Sequence, residues 1–189
     1  MISTKFKIIL AVILIFGLLA LFASHRWYKT LDNYTSLDNY GDFLKKEFPS
    51  VEHISTDSLA TLLRARDAGV GTMALIDCRT PEEYEASHLA GAKNIETAEA
   101  VDAWLKLNDA ESVIVYCAVG YRSAKLAEEL QETGYENVKN VVGSIFSWAN
   151  EDRPLVDSAG NPVEKVHPYN QFWRRHLKEG KAIPLPSGK

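Results

Sequence analysis

One segment constrains the fold of this chain more than any other, the apolar run SVIVYC from Ser112 to Cys117. Its length and its β-branched residues are typical of a buried strand. A short loop containing Gly120 follows, and then a helical pattern for which Gly134 is the natural end. The segment therefore predicts a strand that passes through a tight loop directly into a helix.

The chain on both sides of this segment also alternates between strand and helix patterns. The apolar run Met73–Asp77 has the length of a buried strand, Asn137–Val142 gives another strand, and a brief strand is expected around Asn94 and Ile95. The predicted helices follow Ser55 or Thr56, begin at Pro81, carry Val101, Trp104 and Leu105, and span Ser123–Thr133 and Ser144–Asn150. This alternation predicts a three-layer α/β domain with a central parallel sheet flanked by helices.

The N-terminus carries the apolar segment IILAVILIFGLLALFA, Ile8 to Ala23, without a charge or a proline. As a helix, the residues from Ile8 to Ser24 would extend roughly 25 Å, a little less than the ~30 Å hydrocarbon core of a bilayer. Flanking lysines and the Trp27–Tyr28 pair are typical of membrane–water interfaces. We therefore expect an uncleaved signal anchor, that is, one transmembrane helix, with a cleaved signal peptide as the alternative.

The balance of positive charge around this segment predicts its orientation. Lys5, Lys7 and the amino terminus slightly outweigh Arg26 and Lys29. The anchor would then place the domain outside the cytoplasm, which is the periplasm in a bacterium. If the segment is cleaved, the domain would instead be secreted to the periplasm.

Four regions follow from these patterns: an anchor over residues 1–29, a linker and short helix over 30–50, a globular domain over 51–157 and a C-terminal extension over 158–189. The extension carries Phe172, Trp173 and Leu177, which we expect to pack on the domain rather than bind a cofactor.

The charges and cysteines exclude several kinds of partner. The formal net charge is −4, and the first 29 residues hold four basic residues and no acidic one, so the remainder carries about −8. Nucleic-acid binding needs clustered Lys and Arg, so we expect no such partner. The chain has two cysteines and no C-x-x-C or H-x-x-x-H spacing, which argues against a metal site. We expect no cofactor.

Cys117 stands where the predicted strand ends and a helix is about to begin, the edge at which parallel α/β folds bind ligands. Gly120 allows a tight turn in which backbone N–H groups point into one concavity at the positive end of the helix. These donors and Arg122 should lower the pKa of Cys117 below its free value of ~8.5. A cysteine at a strand end is by itself more often a small buried hydrophobe. Together with the glycine, the arginine and the helix, it indicates a nucleophile.

The segment VIVYCAVGYRSAKLA resembles the active-site segment of single-domain rhodaneses, a strand followed by C-x-x-G-x-R-S and a helix. Upstream, IDCRTPEEYEASHLAGAKNI is similar to the rhodanese pattern D-x-R-x-x-x-E-(Y/F)-x-x-G-H-I-P-G-A. The matching residues are Asp77, Arg79, Glu83, Tyr84, His88, Gly91 and Ala92, whereas Ser87, Leu89 and Ala90 depart from the pattern. Downstream, Gly143, Ser144 and Trp148 fit the family's closing G-(G/S)-x-x-x-W segment. The resemblance covers residues 52–157.

This resemblance implies a sulfurtransferase without a cofactor. The Cys117 thiolate would take the outer sulfur of a small donor such as thiosulfate or a persulfide, and a thiol or cyanide would then remove it. No protein partner is indicated. The residues expected to bind the substrate and the persulfide are Ala118, Val119, Gly120, Tyr121, Arg122 and Ser123.

Three neighbours of the site receive expectations of their own. Asp77 and Arg79 are expected to form a structural ion pair near the loop. Cys78 ends the neighbouring strand and is a candidate resolving thiol for Cys117 in an oxidising compartment. The alternative for Cys78 is a buried, inert thiol.

Two other functions stay open. The related fold occurs in cell-cycle dual-specificity phosphatases, whose loop is C-x5-R, but here only four residues separate Cys117 from Arg122. Tyr116 also stands where those phosphatases carry a histidine. The second alternative is a rhodanese module that only binds partners. Such modules typically lack the cysteine, which this chain keeps.

Overall fold

The computed structural model of the protein describes residues 37–185. Within this range the helices are α1 (Leu37–Glu47), α2 (Thr56–Asp67), α3 (Pro81–Ala86), α4 (Ala98–Leu105), α5 (Tyr121–Glu132), α6 (Ser144–Asn150) and α7 (Gln171–Arg174). The strands are β1 (Glu52–Ile54), β2 (Met73–Asp77), β3 (Lys93–Asn94), β4 (Ser112–Tyr116), β5 (Val138–Val141), β6 (Leu155–Val156) and β7 (Pro162–Val163). Over these residues β1 to β5 form a parallel sheet in the order β1-β5-β4-β2-β3, and β6 pairs antiparallel with β7.

The central strand β4 explains why the fold has three layers. Val113, Ile114, Val115 and Tyr116 are all buried, although successive side chains of a strand point to opposite faces. Both faces of the sheet are therefore covered, as is usual for parallel sheets. In the helical layers, α4 packs against α5 and α2 packs against α6. The predicted α/β fold with a central parallel sheet flanked by helices is confirmed.

Two helix starts follow from local sequence, as predicted. Helix α2 is capped by Ser55, whose Oγ accepts a hydrogen bond from the Ser58 N–H at 3.1 Å. Helix α3 begins with Pro81 after the capping residue Thr80. The Glu83 N–H donates to Thr80 Oγ1, and the Glu83 carboxylate accepts the Thr80 N–H in return. Such a reciprocal cap satisfies two N–H groups that the helix itself cannot bond.

The structure differs from the sequence expectation in several element boundaries. Strand β1 was not expected, because Glu52–Ile54 is short and lacks an apolar run; it pairs with β5 at the edge of the sheet. Helix α5 begins at Tyr121, two residues before the expected start, since Gly120 already turns the chain as the residue before the helix.

The C-terminal extension continues directly from the domain, because the β6–β7 hairpin spans the expected boundary at residues 157 and 158. Leu177 is buried, and the Trp173 ring lies 6.0 Å from the ring of Tyr40 on α1. Phe172 is 52% exposed, so the expectation that it packs on the domain is wrong. The physical reason is that α7 is a single turn, which presents only one side to the domain.

The predicted N-terminal anchor, residues 1–29, lies outside the described residues. Over residues 37–185, none of the helices has the length and apolar character needed to cross a membrane.

Candidate active site

Cys117 is the first residue after β4, in a loop that ends at Gly120, the residue before α5. The Gly120 N–H donates to Cys117 Sγ at 3.1 Å, and the backbone N–H of Ser123 also lowers the pKa of this thiol. Both groups belong to the start of α5, where the first N–H groups have no partner within the helix and the helix dipole is positive. The loop therefore stabilises negative charge on Sγ.

The start of α6 holds this loop in place. The Cys117 N–H donates to Ser144 Oγ at 3.1 Å. Three loop carbonyls accept N–H groups: Val119 from Gly143 at 3.1 Å, Cys117 from Ile145 at 3.2 Å and Ala118 from Phe146 at 3.1 Å. The Gly143–Ser144 pair, which the sequence matched to the closing rhodanese segment, thus supports the loop of Cys117.

Gly120 is required at its position for two reasons. Its φ is +114°, a backbone conformation that residues with a Cβ rarely adopt. A Cβ here would also lie 3.0 Å from Leu44 Cδ1 and 3.0 Å from the Val141 carbonyl oxygen. A side chain would therefore displace the N–H that faces the sulfur.

The surroundings of Cys117 favour the thiolate. Burial is the largest single influence and by itself raises the pKa, since the side chain is 1% exposed. A hydrogen bond from the Cys78 thiol, the charge of Arg122 and donors of Ser123 oppose it, and together they lower the pKa of Cys117 well below its ordinary value. The Ser123 hydroxyl donates its proton to Asn140 Oδ1 at 2.6 Å, so the Ser123 group that stabilises the thiolate is its backbone N–H.

Cys78 lies beside Cys117 because β2 and β4 are neighbours, with Asp77 opposite Tyr116. Its thiol donates to the Tyr116 carbonyl oxygen at 3.4 Å, and the Cys117 thiolate competes for the same proton. One S–H proton serves one acceptor at a time, and a thiolate is the stronger acceptor. The hydrogen bond to Cys117, burial and the nearby charge of Cys117 raise the pKa of Cys78 well above its ordinary value. Cys78 is thus a neutral thiol beside its charged neighbour.

Glu83 is a site residue that sequence reasoning matched to the family pattern but gave no role. Its carboxylate accepts two hydrogen bonds from Arg122, both at 2.9 Å. The Glu83 side chain is 2% exposed and that of Arg122 is 33% exposed. Burial raises the pKa of Glu83, but the hydrogen bonds and charge of Arg122 outweigh it, so that the pKa is lowered. The charge that the sequence assigned to anion binding is therefore largely neutralised by a buried carboxylate.

Asp77 and Arg79 form a buried ion pair, with Arg79 Nη2 2.6 Å from Asp77 Oδ2 and both side chains fully buried. Arg79 also donates to the Ser87 carbonyl oxygen at 2.6 Å. Asn94 Nδ2 donates to the Arg79 carbonyl oxygen at 2.7 Å. These bonds tie the residues that follow β2 to Ser87 and to Asn94 on β3, and they place the pair in a structural position next to the site.

A cavity of about 190 Å³ opens over the loop. Cys117, Ala118 and Val119 form its floor, with Arg122 beside them. Its other lining residues are all aromatic: Tyr40, Tyr121, Tyr169 and Trp173. Tyr121 was among the residues expected to bind the substrate. The other three come from regions before and after the globular domain, and the sequence held no signal that would place them over Cys117.

Comparison with known proteins agrees with this geometry. The family model described as "Rhodanese-like domain" matches residues 56–151. The chain is 30% identical over 84 residues to the uncharacterized protein YqhL of Bacillus subtilis, covering 44% of this chain and 67% of YqhL. It is 29% identical over 100 residues to the thiosulfate sulfurtransferase GlpE of Coxiella burnetii, covering 53% of this chain and 88% of GlpE. This chain covers only 44% and 21% of the length of two further relatives from Mycobacterium tuberculosis.

A solved structure shows the same fold. The thiosulfate sulfurtransferase of Pseudomonas aeruginosa superimposes with a TM-score of 0.53 at 22% identity, covering 72% of this chain and 25% of that one. The chain belongs to the rhodanese-like family. Its relatives support a function of the sulfurtransferase type.

Proposed function

We propose that this protein is an active sulfurtransferase that carries a sulfane sulfur as a persulfide on Cys117. One observation carries the proposal: the Cys117 sulfur accepts a hydrogen bond from the Gly120 N–H at 3.1 Å and also lines an open cavity. A buried structural cysteine has no need of anion-stabilising donors, whereas a nucleophile depends on its thiolate form.

The reaction would proceed in two displacements. The Cys117 thiolate attacks the outer sulfur of the donor, the bond between that sulfur and the rest of the donor breaks, and the donor remnant leaves with the electron pair. With thiosulfate this gives Cys117–S–S⁻ and sulfite. An acceptor such as cyanide or a thiolate then attacks the outer sulfur, which leaves as thiocyanate or as a new persulfide and regenerates the Cys117 thiolate. Each half-reaction conserves charge. Because the first product leaves before the acceptor reacts, two successive displacements of this kind predict ping-pong kinetics.

The test uses the full chain, purified in a mild detergent because of its apolar N-terminal segment. Thiosulfate, an organic thiosulfonate and glutathione persulfide are offered in turn, and intact mass is recorded before and after cyanide is added. We expect an adduct of about 32 Da, one sulfur, that cyanide removes as thiocyanate. Cys117→Ser is the matched control and should show neither adduct nor turnover. A chain that no donor loads would be a binding module instead.

Phosphatase chemistry has less support in the site. An oxyanion substrate needs positive charge at the loop, and Arg122 already donates two hydrogen bonds to Glu83. Hydrolysis of a generic phosphomonoester, lost in Cys117→Ser, would favour this alternative.

The location of the protein stays a prediction from the apolar segment Ile8–Ala23. We propose that this segment anchors the domain to a membrane with the domain on the extracytoplasmic side. Resistance of the chain to alkaline extraction from membranes, and digestion of its C-terminal tag by protease added to spheroplasts, are the expected results. Release by alkali without loss of the segment would contradict the anchor.

A further inference from the structure

We propose that the cavity over Cys117 selects a sulfur donor that carries a ring-sized apolar organic group, in preference to inorganic thiosulfate. This inference rests on the proposed function, because it names the class of donor that would use the same site. It depends on the walls, the charge and the size of the cavity.

The walls of the cavity come mostly from outside the segment that matches the family. That segment spans residues 56–151, whereas Tyr40 precedes it and Tyr169 and Trp173 follow it. The rings support one another: the Tyr40 and Trp173 rings meet edge to face at 6.0 Å, and the Arg122 guanidinium lies 4.9 Å from the centre of the Tyr169 ring. The extensions on the two sides of the domain thus build an aromatic enclosure that the shared domain alone does not provide.

The charge of the cavity suits a donor with little charge. Among the described residues that line it, Arg122 is the one cation, and Glu83 accepts two hydrogen bonds from it. Burial and the nearby charge of Cys117 raise the pKa of Tyr40, so this phenol stays neutral. A dianion such as thiosulfate would lose its hydration on entering a site that already holds a thiolate. Because the described residues that line the site offer it no unpaired positive charge, this loss is costly.

The size of the cavity fits one ring. An apolar cavity of about 150 Å³ is large enough to hold benzene, and this cavity measures about 190 Å³. A pair of aromatic rings in contact contributes roughly 0.5–1.5 kcal/mol to the binding free energy beyond the burial of the rings' surface. A ring attached to the donor sulfur would therefore find contacts that a methyl group or a sulfonate cannot make.

The probe is benzenethiosulfonate, compared with methanethiosulfonate and thiosulfate. The Cys117 thiolate attacks the terminal sulfur, the bond between that sulfur and the sulfonyl sulfur breaks, and benzenesulfinate leaves with the electron pair. The products are Cys117–S–S⁻ and benzenesulfinate, so atoms and charge balance without any further reactant. Methanethiosulfonate follows the same path with the same charge, and it isolates the effect of the ring.

The experiment measures the rate at which each donor loads the full chain, from the appearance of the sulfur adduct by intact mass. Each loading rate is divided by the rate at which the same donor transfers sulfur to a free small thiol. This division removes differences in the donors' own reactivity. We expect the normalised loading rate with benzenethiosulfonate to exceed that with methanethiosulfonate by about tenfold, which corresponds to ~1.4 kcal/mol. Tyr169→Ala and Trp173→Ala should lose most of this ratio. Phe172→Ala removes an exposed ring of the same extension, which does not line the cavity, and should keep it.

A binding measurement separates this inference from the proposed function. Benzenesulfinate and methanesulfinate are titrated into the Cys117→Ser chain, where no sulfur can be transferred. If Cys117 is loaded by every donor at the same normalised rate, the ring preference is overturned and the sulfurtransferase function stands. If no donor loads Cys117 but benzenesulfinate binds about tenfold tighter, the function falls and the cavity's selectivity stands. Equal binding of the two sulfinates overturns the inference in either case.

Folding of the variants does not decide the result. Tyr169 is 46% exposed, so Tyr169→Ala removes little buried surface and keeps the test available should Trp173→Ala unfold the extension. A ring preference that persists unchanged in a folded Tyr169→Ala chain and in a folded Trp173→Ala chain would also overturn the inference.

Discussion

Cys78→Ala tests whether a buried neutral thiol supports the nucleophile. The wild-type Cys78 thiol interacts with Cys117 so that the pKa of Cys117 is lowered and the pKa of Cys78 is raised, and Cys78 therefore keeps its own proton. Hydrogen bonds to charged groups contribute roughly 1.5–3 kcal/mol, and a thiol is a weak donor, so we take the lower end. Since one pKa unit corresponds to about 1.4 kcal/mol, the variant should raise the pKa of Cys117 by about one unit.

The direction of the effect on activity follows from the thiolate. Below its pKa, the fraction of reactive Cys117 falls about tenfold for each pH unit. The acid limb of the loading rate against pH should therefore shift to higher pH by about one unit in Cys78→Ala, while the rate at alkaline pH stays close to that of the wild type. Thiolate absorbance in the ultraviolet, titrated on the same protein, should show the same shift.

Cys78→Ser is the matched control, because it keeps a donor of similar size at the same place and should restore much of the acid limb. Cys117→Ser identifies which step of the titration belongs to Cys117. An acid limb and an absorbance titration that stay at the wild-type pH in Cys78→Ala would refute the reasoning, and the low pKa would then come from Arg122 and the start of α5 alone.

Three further predictions concern the frame of the site. Asp77→Asn should lower the free energy of unfolding in urea by about 3 kcal/mol or more, because it leaves Arg79 buried without its partner; a loss below about 1 kcal/mol would contradict this. Gly120→Ala should reduce Cys117 loading at least tenfold in a folded chain, since its φ of +114° and its neighbours oppose a Cβ; near wild-type loading would show that the loop adapts. Mild peroxide should convert Cys117 to a sulfenic acid that condenses with Cys78 to a disulfide and water, a final loss of about 2 Da; persistence of both thiols by mass would end the role of Cys78 as a resolving thiol.

Local pattern was enough to predict where Cys117 lies in the fold. The apolar run of β4 predicts a buried strand, and Gly120 predicts a turn, since each depends on neighbours within a few residues. The resemblance to rhodaneses then identified Asp77 and Arg79, whose ion pair the structure contains. Helix α5 begins two residues earlier than the sequence predicts, because its first turn is set by the glycine conformation rather than by a capping side chain.

The partner of Arg122 shows where local pattern stops. Glu83 and Arg122 are 39 residues apart, and their two hydrogen bonds form only because the helix that begins at Pro81 lies beside the loop of Cys117. From the sequence, Arg122 is a positive charge near the thiolate. In the structure most of that charge is balanced, which changes the expected donor from an inorganic anion to an organic compound.

The sequence by itself determined the α/β class, the position of Cys117 at a strand end and the glycine that turns its loop, because periodicity and turn chemistry act over short stretches of chain. Only the tertiary structure decided what surrounds the sulfur. The order of the strands brings Cys78 beside Cys117, and packing of the two extensions brings Tyr40 and Trp173 over the same cavity. These contacts join residues far apart in the chain, and they depend on which surfaces bury one another rather than on any local pattern.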